Sequence, residues 1–277
     1  MKSYKYRLYP TKTQVASLEE ILYRCCELYN AALQERRDIW TACKNNPNFY
    51  DAEWRAEHTT EYRVSYFDQC HSIVEIKHSV RPEYEQIGAH VLQNVLKRVD
   101  KAFQGFFARV RKGQTPGYPR WKRFDRYDSF CFPDIAGWKL DKDRITLSNV
   151  GTIKVKLHRP IEGTIKTTTI KREGNHWYVI FACEVATAVK LPYTDDCIGI
   201  DLGVSKLATM SSGDVIANPR HYRNAEEKLS IAQQSLSRKH KRSKRYKKAE
   251  QRVARLHRKV ANQRKDYLDK QSRWLVD

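Results

Sequence analysis

The side chain best placed to do chemistry is Asp201, a single acid in the short apolar run Cys197–Val204. A carboxylate buried among apolar side chains is strongly unfavourable without a hydrogen-bonding partner or a cation, so we expect Asp201 to have one of these. Gly199 and Gly203 would allow a backbone or a phosphate to come close. On spacing alone, an ordinary capping or turn Asp at a strand end is the alternative. Two-metal phosphodiester hydrolysis needs several carboxylates from separate strands, which one Asp cannot supply.

The largest group of candidate binding residues is basic. The cations between Arg238 and Lys248 would repel one another on an isolated helix, and phosphates would relieve that repulsion while releasing counterions. A solvated charged loop is the alternative. The candidates are Arg238, Lys239, Lys241, Arg242, Lys244, Arg245, Lys247 and Lys248, with Arg255, Arg258 and Lys259 further along the chain.

Two smaller sets of residues could also contact nucleic acid. The first combines cations with the stacking surface of Trp121, which predicts a site for an RNA backbone. The alternative is that Trp121 belongs to the hydrophobic core. The members of this first set are Arg120, Trp121, Lys122 and Arg123. In the second set, Gln93 and Asn94 could read base edges through paired hydrogen bonds. Ordinary polar residues on a helix face would have the same spacing.

The balance of charge favours a polyanionic partner. The 277 residues include 52 Lys and Arg against 32 Asp and Glu, a net charge of +20. Residues 220–277 alone carry 19 basic and 6 acidic side chains, a net +13. Such a concentrated excess favours nucleic acid. A membrane-surface helix is the competing interpretation, but the apolar side of this region is a narrow seam and not a broad insertion face.

Hydropathy and cysteine spacing narrow the class of protein further. No run approaches the roughly 18 apolar residues of a membrane span, and the N-terminus lacks a signal-peptide core. We therefore expect a cytoplasmic protein with no membrane partner. The seven cysteines are odd in number and contain no C-x-x-C spacing, which predicts buried thiols and neither a disulfide framework nor a zinc site.

Periodicity predicts the elements of the N-terminal part. Lys2–Tyr9 alternates apolar and basic residues, as a strand with one buried face does. Thr11 and Gln14 have the spacing of a capping box, so a long amphipathic helix should follow. A second helix is predicted over about Glu85–Val110, and the segment 44–83 is helical less clearly. The apolar stripe of the first helix is Val15, Leu18, Leu22, Cys25, Tyr29 and Ala32.

The segment 113–123 is rich in Gly, Pro and aromatic residues that no helix could accommodate, which predicts a domain boundary there. Alternating runs with a Gly174-Asn175 turn then predict a small antiparallel barrel. The first strand would complete this barrel, leaving the helices of 11–112 as an insertion. The predicted strands are Arg144–Leu147, Thr152–Leu157, Thr164–Lys171 and His176–Val185.

A new domain is predicted from Cys197, where the apolar run forms a strand. A second strand, Lys206–Met210, and a turn at 212–214 follow it. From Tyr222, apolar residues return at steps of three and four on both sides of the basic run, which predicts a helical hairpin with basic outer faces. The seam residues are Ala225, Leu229, Ala232, Leu236, Ala249, Val253, Leu256, Val260, Tyr267 and Trp274.

Several short motifs, in order along the whole chain, resemble the TnpB (OrfB) family of insertion-sequence proteins. Each motif is weak alone, but the combination is specific. The motifs are Arg7–Thr11, Leu92–Asn94, Pro116–Arg120, Ile198–Val204 (IGIDLGV), Asn218–Arg223, Ala232–Arg238 and Arg255–Val260. Members of this family are RNA-guided DNA endonucleases related to type V CRISPR effectors.

The resemblance implies an α+β multidomain fold. A wedge-type, OB-like β-barrel would comprise 1–10 and 113–193, with a helical recognition domain inserted at 11–112. A partial RNase H-like (RuvC) α/β domain with a long basic helical hairpin would occupy 194–277. The implied partners are a guide RNA and double-stranded and single-stranded DNA, with the oligomeric state open. Asp201 would be the first RuvC carboxylate and a Mg²⁺ ligand.

The sequence departs from the family pattern after this point. Family members continue into a strand with a catalytic Glu, a four-cysteine zinc ribbon and a final catalytic Asp, none of which has a counterpart among these residues. We therefore expect weak or absent Mg²⁺ binding, no zinc site and little autonomous cleavage. Two functions stay open: an RNA-guided DNA-binding protein or endonuclease, and a nuclease-inactive remnant or RNA-guided regulator.

Overall fold

The computed structural model describes residues 1–58, 61–186 and 197–276. Contacts divide the chain into two compact units, residues 1–187 and 188–277. The boundary predicted between residues 193 and 194 lies outside the described residues.

The chain begins with a strand and a long helix, as the periodicity predicts. β1 (Lys2–Tyr9) alternates in burial, and its inward side chains are Tyr4, Tyr6 and Leu8. α1 (Lys12–Lys44) starts at the predicted capping box: Thr11 Oγ1 accepts from the Gln14 amide, and Gln14 Oε1 accepts from the Thr11 amide. Gln14 Nε2 also donates to the Thr152 carbonyl at 2.9 Å, which joins the start of the helix to the sheet.

Three further helices lie among the described residues of the first unit: α2 (Ala52–His58), α3 (Tyr66–Ser79) and α4 (Ala89–Arg111). Short 3₁₀ turns lie at Pro47–Tyr50, Pro82–Gln86 and Phe124–Arg126. The prediction that α4 begins at Glu85 is wrong, because a 3₁₀ turn occupies that position and Gly88, with ψ of 135°, caps the helix. Val110, the last residue of the predicted helix, is exposed in the last turn of α4.

Seven antiparallel strands form one curled sheet in the order β2-β6-β7-β1-β5-β4-β3. After β1, the strands are β2 (Ser129–Phe132), β3 (Trp138–Asp141), β4 (Arg144–Leu147), β5 (Gly151–Lys156), β6 (Thr164–Glu173) and β7 (His176–Glu184). β1 lies between β7 and β5, with Tyr6 opposite Val179 and Leu8 opposite Val155, so the prediction that the first strand completes the sheet is confirmed. The sheet is a half-barrel and not a closed barrel, since β2 and β3 are its edges.

Helices and sheet share a single hydrophobic core in the first unit. Tyr6 and Phe181 from the sheet belong to the same buried cluster as Leu22 of α1 and Leu96 of α4. α4 packs on both α1 and β2. The helices of 11–112 are thus an insertion in sequence whose apolar faces are buried against the strands that flank them.

The second unit contains a three-stranded antiparallel sheet and two helices. The strands, in the order β10-β9-β8, are β8 (Ile200–Leu202), β9 (Lys206–Met210) and β10 (Val215–Ala217). α5 (Arg223–Ser237) and α6 (Lys244–Val276) pack on each other as the predicted hairpin, with Leu229, Ala232 and Val260 buried. Trp274 does not continue the seam: it is 56% exposed, and Leu275 packs on the sheet core instead.

Candidate carboxylate site and nucleic-acid interface

Asp201 lies in the middle of β8, opposite Thr209 of β9. The prediction that it is a buried acid is wrong, because Asp201 and its neighbours Ile200 and Leu202 are all exposed. β8 is an edge strand, and the apolar core of its small sheet is built from side chains of β9 and β10. An apolar run is buried only where another layer of the fold covers it. Because Asp201 is exposed, its carboxylate has no desolvation cost that a hydrogen-bonding partner or a cation would have to offset.

The glycines beside Asp201 serve the local hairpin. The Gly199 amide donates to Ser211 Oγ at 3.0 Å. A Cβ on Gly203 would meet the Lys206 carbonyl oxygen at 3.1 Å, which is a tight contact. Of the two predicted partners, a backbone or a phosphate, the one that Gly203 approaches is the chain's own backbone at the β8–β9 turn.

The donor set around Asp201 does not by itself fit a catalytic magnesium ion. Among residues 1–58, 61–186 and 197–276, no three His, Cys, Asp or Glu side chains surround a point that could hold a metal. Catalytic Mg²⁺ in two-metal sites is held by several carboxylates at once. Asp201 belongs to no such group among the described residues.

A basic cleft, which we call the arginine cleft, opens near the end of β8 in the second unit. It has a volume of about 750 Å³ and is bordered by Val204 and Leu207 of the strand turn. Its polar and aromatic lining comprises Asn218, Arg220, His221, Tyr222, Arg223, Arg264 and Tyr267. Three guanidinium groups around one concave surface would attract a phosphate backbone.

Local hydrogen bonds shape the arginine cleft. Asn218 Nδ2 donates to the Val204 carbonyl at 2.8 Å, and Asn218 Oδ1 accepts from the Arg220 amide at 3.0 Å. This arrangement holds Arg220 in the left-handed region, with φ of 47°. The Arg264 guanidinium lies 5.9 Å from the centroid of the Tyr222 ring. Residues 218–223 were predicted only as a family motif, and Arg264, which lies more than forty positions away, was missed.

The basic run occupies the turn of the hairpin and the start of α6. Arg238 caps α5, and Lys239 Nζ donates to both the carbonyl and the hydroxyl oxygen of Ser235 at 2.9 Å. All the other cations of the run are exposed: Arg238, Lys241, Arg242, Lys244, Arg245, Lys247 and Lys248. Along the described part of the chain, none of the eight makes an ion pair within the 4.0 Å that defines one.

The position of these cations on α6 is electrostatically unfavourable without an anion. Lys244 and Arg245 begin the helix, Lys247 and Lys248 follow, and the first turn contains no acidic residue. A helix N-terminus carries partial positive charge, so cations there are repelled by the helix dipole while phosphates would be attracted. Further along α6, Arg255 and Lys259 are exposed and Arg258 is half-buried, beside the seam formed by Leu256 and Val260.

In the first unit, the alternative that Trp121 belongs to the core is wrong, because this side chain is 49% exposed. Asn30 of α1 fixes the backbone beside it: its Oδ1 accepts from the Lys122 amide and its Nδ2 donates to the Lys122 carbonyl, both at 2.9 Å. Arg120, Lys122 and Arg123 are exposed as well. Arg123 Nε lies 3.1 Å from Asp125 Oδ1, so its charge is partly balanced within the chain.

Gln93 and Asn94 lie on α4, directly after the buried residues Val91 and Leu92. Both side chains are half-buried. That Gln93 and Asn94 read base edges therefore stays a prediction.

The remaining sequence predictions concern membranes and thiols. No described helix combines the length and the apolar character needed to cross a bilayer. All seven cysteines are free, and only Cys197 is exposed among them. Burial raises the pKa of the Cys25 thiol to about 12, so this side chain stays protonated at neutral pH.

Two family models match the chain. One, described as "Probable transposase", matches residues 180–277, and the other, described as "Helix-turn-helix domain", matches residues 1–45. The second description does not fit the geometry, since residues 1–45 form strand β1 and the single helix α1.

Two curated relatives align with nearly the whole chain. A protein of Streptomyces pristinaespiralis, provisionally named RNA-guided DNA endonuclease, is 31% identical over 99% of this chain and 64% of its own length. A protein of Escherichia coli K12, provisionally named RNA-guided DNA endonuclease InsQ, is 28% identical over 98% of this chain and 62% of its own length. The chain therefore spans less than two thirds of the length of these relatives.

One solved structure to which this chain is similar is a chain from a CRISPR-Cas12f ternary complex. The match covers 94% of this chain and 60% of that one, at 12% identity and a TM-score of 0.35. A TM-score this low does not establish a shared fold.

Proposed function

Because the chain belongs to the TnpB (OrfB) family of insertion-sequence proteins, we propose that it carries the RNA-binding and DNA-engaging part of an RNA-guided DNA endonuclease. The observation that carries this proposal is the basic hairpin of α5 and α6. Its turn presents exposed cations that the described chain leaves without ion pairs. A bound polyanion would balance this charge and release the counterions that otherwise surround it.

Electrostatic binding of this kind is driven by the release of counterions. Each phosphate that a Lys or Arg neutralises frees condensed ions, so affinity falls steeply with salt. The hairpin turn, the N-terminus of α6 and the arginine cleft all belong to the second unit, where most of the net charge is concentrated. We assign the guide RNA to this unit and to the exposed cations around Trp121.

DNA would be engaged in two forms. In RNA-guided recognition, base pairing with the guide supplies sequence specificity while the protein inspects a short motif in the duplex. Gln93 and Asn94 on α4 are the proposed readers of that double-stranded motif, and the single strand released by pairing is the second DNA partner. Both residues are half-buried, and the exposed Lys97, which follows them on α4, is a proposed phosphate contact.

Cleavage is the part of the family activity that this chain supports least. The family resemblance makes Asp201 the first RuvC carboxylate, but among the described residues it belongs to no group of three or more side chains that could hold a metal ion. This donor set favours a second candidate function: an RNA-guided protein that occupies DNA without cutting it. Mg²⁺-dependent cleavage by the purified chain, abolished by Asp201→Ala, would decide for the endonuclease.

The decisive test of the proposed function is RNA binding. The purified protein should contain RNA that can be extracted and sequenced. The triple variant Lys244→Gln, Lys247→Gln, Lys248→Gln should bind this RNA more weakly, with the slope of log affinity against log salt reduced by about 2, since each lost contact with single-stranded RNA is worth about 0.7.

A matched control removes three exposed cations from the first unit: Lys12→Gln, Lys44→Gln, Lys101→Gln. Its net charge equals that of the test variant, so a general effect of charge would lower RNA affinity equally in both. Equal losses would exclude the hairpin as the site. Failure of the wild-type protein to bind RNA or DNA at low ionic strength would overturn the proposed function.

A further inference from the structure

An aromatic cavity in the first unit is not used by the sites described above. It has a volume of about 600 Å³ and lies between α1, α4 and the segment 62–65. Its rings are those of Trp40, Tyr62, Phe103, Phe106, Phe107 and Tyr118, and its polar groups come from Arg36, Arg63, Ser65, Asp100 and Gln104. The cavity is thus lined by flat apolar surfaces with a few polar groups among them.

Arg36 contributes a hydrogen-bond donor without an acceptor. Its side chain is only 9% exposed, its Nε donates to Gln69 Oε1 at 3.0 Å, and its Nη1 donates to Asp100 Oδ1 at 3.2 Å. Among the described residues, Nη2 is buried with no hydrogen-bond partner. A buried donor without an acceptor is unfavourable, so a ligand that offered an acceptor here would gain affinity.

A second cleft adjoins the aromatic cavity. Trp40 and Tyr118 line both spaces, and the second, of about 460 Å³, continues along Arg37 and Thr41 to Arg120 and Trp121. The Arg37 guanidinium lies 5.7 Å from the centroid of the Tyr118 ring. Trp40 is 50% exposed, so its ring is available at the boundary between the two spaces.

We infer that the aromatic cavity holds one unstacked base of a single-stranded nucleic acid, whose backbone continues through the adjoining cleft. This inference rests on the proposed function. The base stacks among the rings and accepts a hydrogen bond from Arg36 Nη2 through a carbonyl oxygen or a ring nitrogen. Arg37 and Arg120 contact the phosphates, and Trp121 stacks on the neighbouring base.

The chemistry of the cavity distinguishes a base from other occupants. A phosphate inside it would be attracted by Arg36 and Arg63 and repelled by Asp100, whose Oδ1 is bound to Arg36 and whose Oδ2 accepts from Gln104 at 2.6 Å, and it would leave the six rings without a stacking partner. An aliphatic side chain of a protein partner would fill the volume but leave Nη2 without an acceptor. A neutral heteroaromatic ring with acceptors on its edge satisfies both the rings and the guanidinium.

The first test maps the position of the base. A short oligouridylate containing 5-iodouridine is bound to the full-length protein and irradiated, and the crosslinked peptides are identified by mass spectrometry. We expect crosslinks at Trp40, Phe107 or Tyr118. Crosslinks confined to the hairpin of α5 and α6 would overturn the inferred base site, while the proposed function in RNA binding would stand.

The second test measures affinity. Phe107 is 53% exposed, so Phe107→Ala and Phe107→Leu should leave the fold intact. Both variants should bind oligouridylate roughly 5- to 160-fold more weakly, which corresponds to the loss of one base–aromatic stack. An abasic oligonucleotide of the same length and charge should bind wild type and variants equally.

Phe67→Ala is the matched control, because Phe67 is an exposed ring on the neighbouring helix α3 that lines neither space. It should leave affinity for oligouridylate unchanged. Equal affinity of wild type and both Phe107 variants for oligouridylate would overturn the base pocket while the proposed function stands. A wild-type protein that binds no oligonucleotide of either kind would overturn both.

Discussion

The Tyr267 hydroxyl on α6 donates to the carbonyl oxygen of Ala217 at the end of β10, at a distance of 2.6 Å. This bond ties α6, the long helix that follows α5 in the chain, to the three-stranded sheet. The Tyr267 ring also meets His221 edge-on, with centroids 5.9 Å apart. One tyrosine therefore joins the sheet that carries Asp201 to the wall of the arginine cleft.

Removing this hydroxyl should loosen the second unit. We expect Tyr267→Phe to cost about 0.5–1.5 kcal/mol, the usual net contribution of one hydrogen bond. Hydrogen exchange measured by mass spectrometry should become faster in peptides that cover β10. Tyr246→Phe is the control, since Tyr246 is a half-buried tyrosine on the same helix whose hydroxyl has no hydrogen bond in the described structure. Identical exchange in the two variants would show that the Tyr267 bond does not hold the sheet.

Cysteine labelling should separate the buried from the exposed thiols. Iodoacetamide reacts with thiolates, and burial raises the pKa of Cys25 to about 12. At pH 8, native protein should therefore be alkylated at Cys197, which is exposed, and not at Cys25. In urea, both peptides should be labelled. Alkylation of Cys25 in native protein at a rate close to that of Cys197 would contradict the packing of α1.

The N-terminus of α3 should contribute stability that depends on pH. Hydrogen bonds from the side chain and the amide of Ser65 lower the pKa of Asp68 below its ordinary value of 3.8. Because the folded-state pKa is depressed, this contribution is fully present above the ordinary value and is lost as the pH falls through the lowered pKa.

The pH effect can be measured with Asp68→Asn. The difference in free energy of unfolding between wild type and variant should be constant near neutral pH and shrink below about pH 4. Glu75→Gln, which removes an exposed acid later in the same helix, is the control for loss of one negative charge. A difference that grew as the pH fell would have the wrong sign for a depressed pKa.

Local patterns were sufficient wherever a residue's neighbours in sequence determine its structure. The alternation in β1 and the Thr11–Gln14 capping box depend on hydrogen bonds and side-chain directions within a few residues, and both were predicted. β2 and β3 were missed, because each is only four residues long and alternation over so short a stretch is not distinctive.

The candidate sites were harder to predict because they depend on distant parts of the chain. Burial of Asp201 was inferred from its apolar neighbours, but burial depends on what covers the edge strand. The arginine cleft combines Arg220 with Arg264, and the aromatic cavity combines Arg36 with Tyr118. Only the fold brings such residues together, and without it a lone Arg in a helix is indistinguishable from an ordinary surface cation.

Asp201→Ala provides a test of the exposed carboxylate. Removing a buried acid that has a partner would destabilise the protein. Removing an exposed acid should instead change the free energy of unfolding by less than about 0.5 kcal/mol. RNA affinity should not fall, since the change removes a negative charge from a strongly basic unit. In 10 mM Mg²⁺, a concentration on the order of that used to saturate weak carboxylate sites, neither wild type nor variant should cut single-stranded DNA.

Asp196 and Asp195 lie outside the described residues, so Asp214→Ala serves as the control for loss of an exposed acid from the same unit. The Asp214 carboxylate accepts a hydrogen bond from Ser212 Oγ at 2.8 Å in the turn between β9 and β10. A small loss of stability is therefore expected in Asp214→Ala and not in Asp201→Ala. If Asp201→Ala were the more destabilising of the two, the carboxylate would have a partner after all. Cleavage by wild type that Asp201→Ala alone abolished would establish that the chain assembles a complete metal site, and the non-cutting function would be wrong.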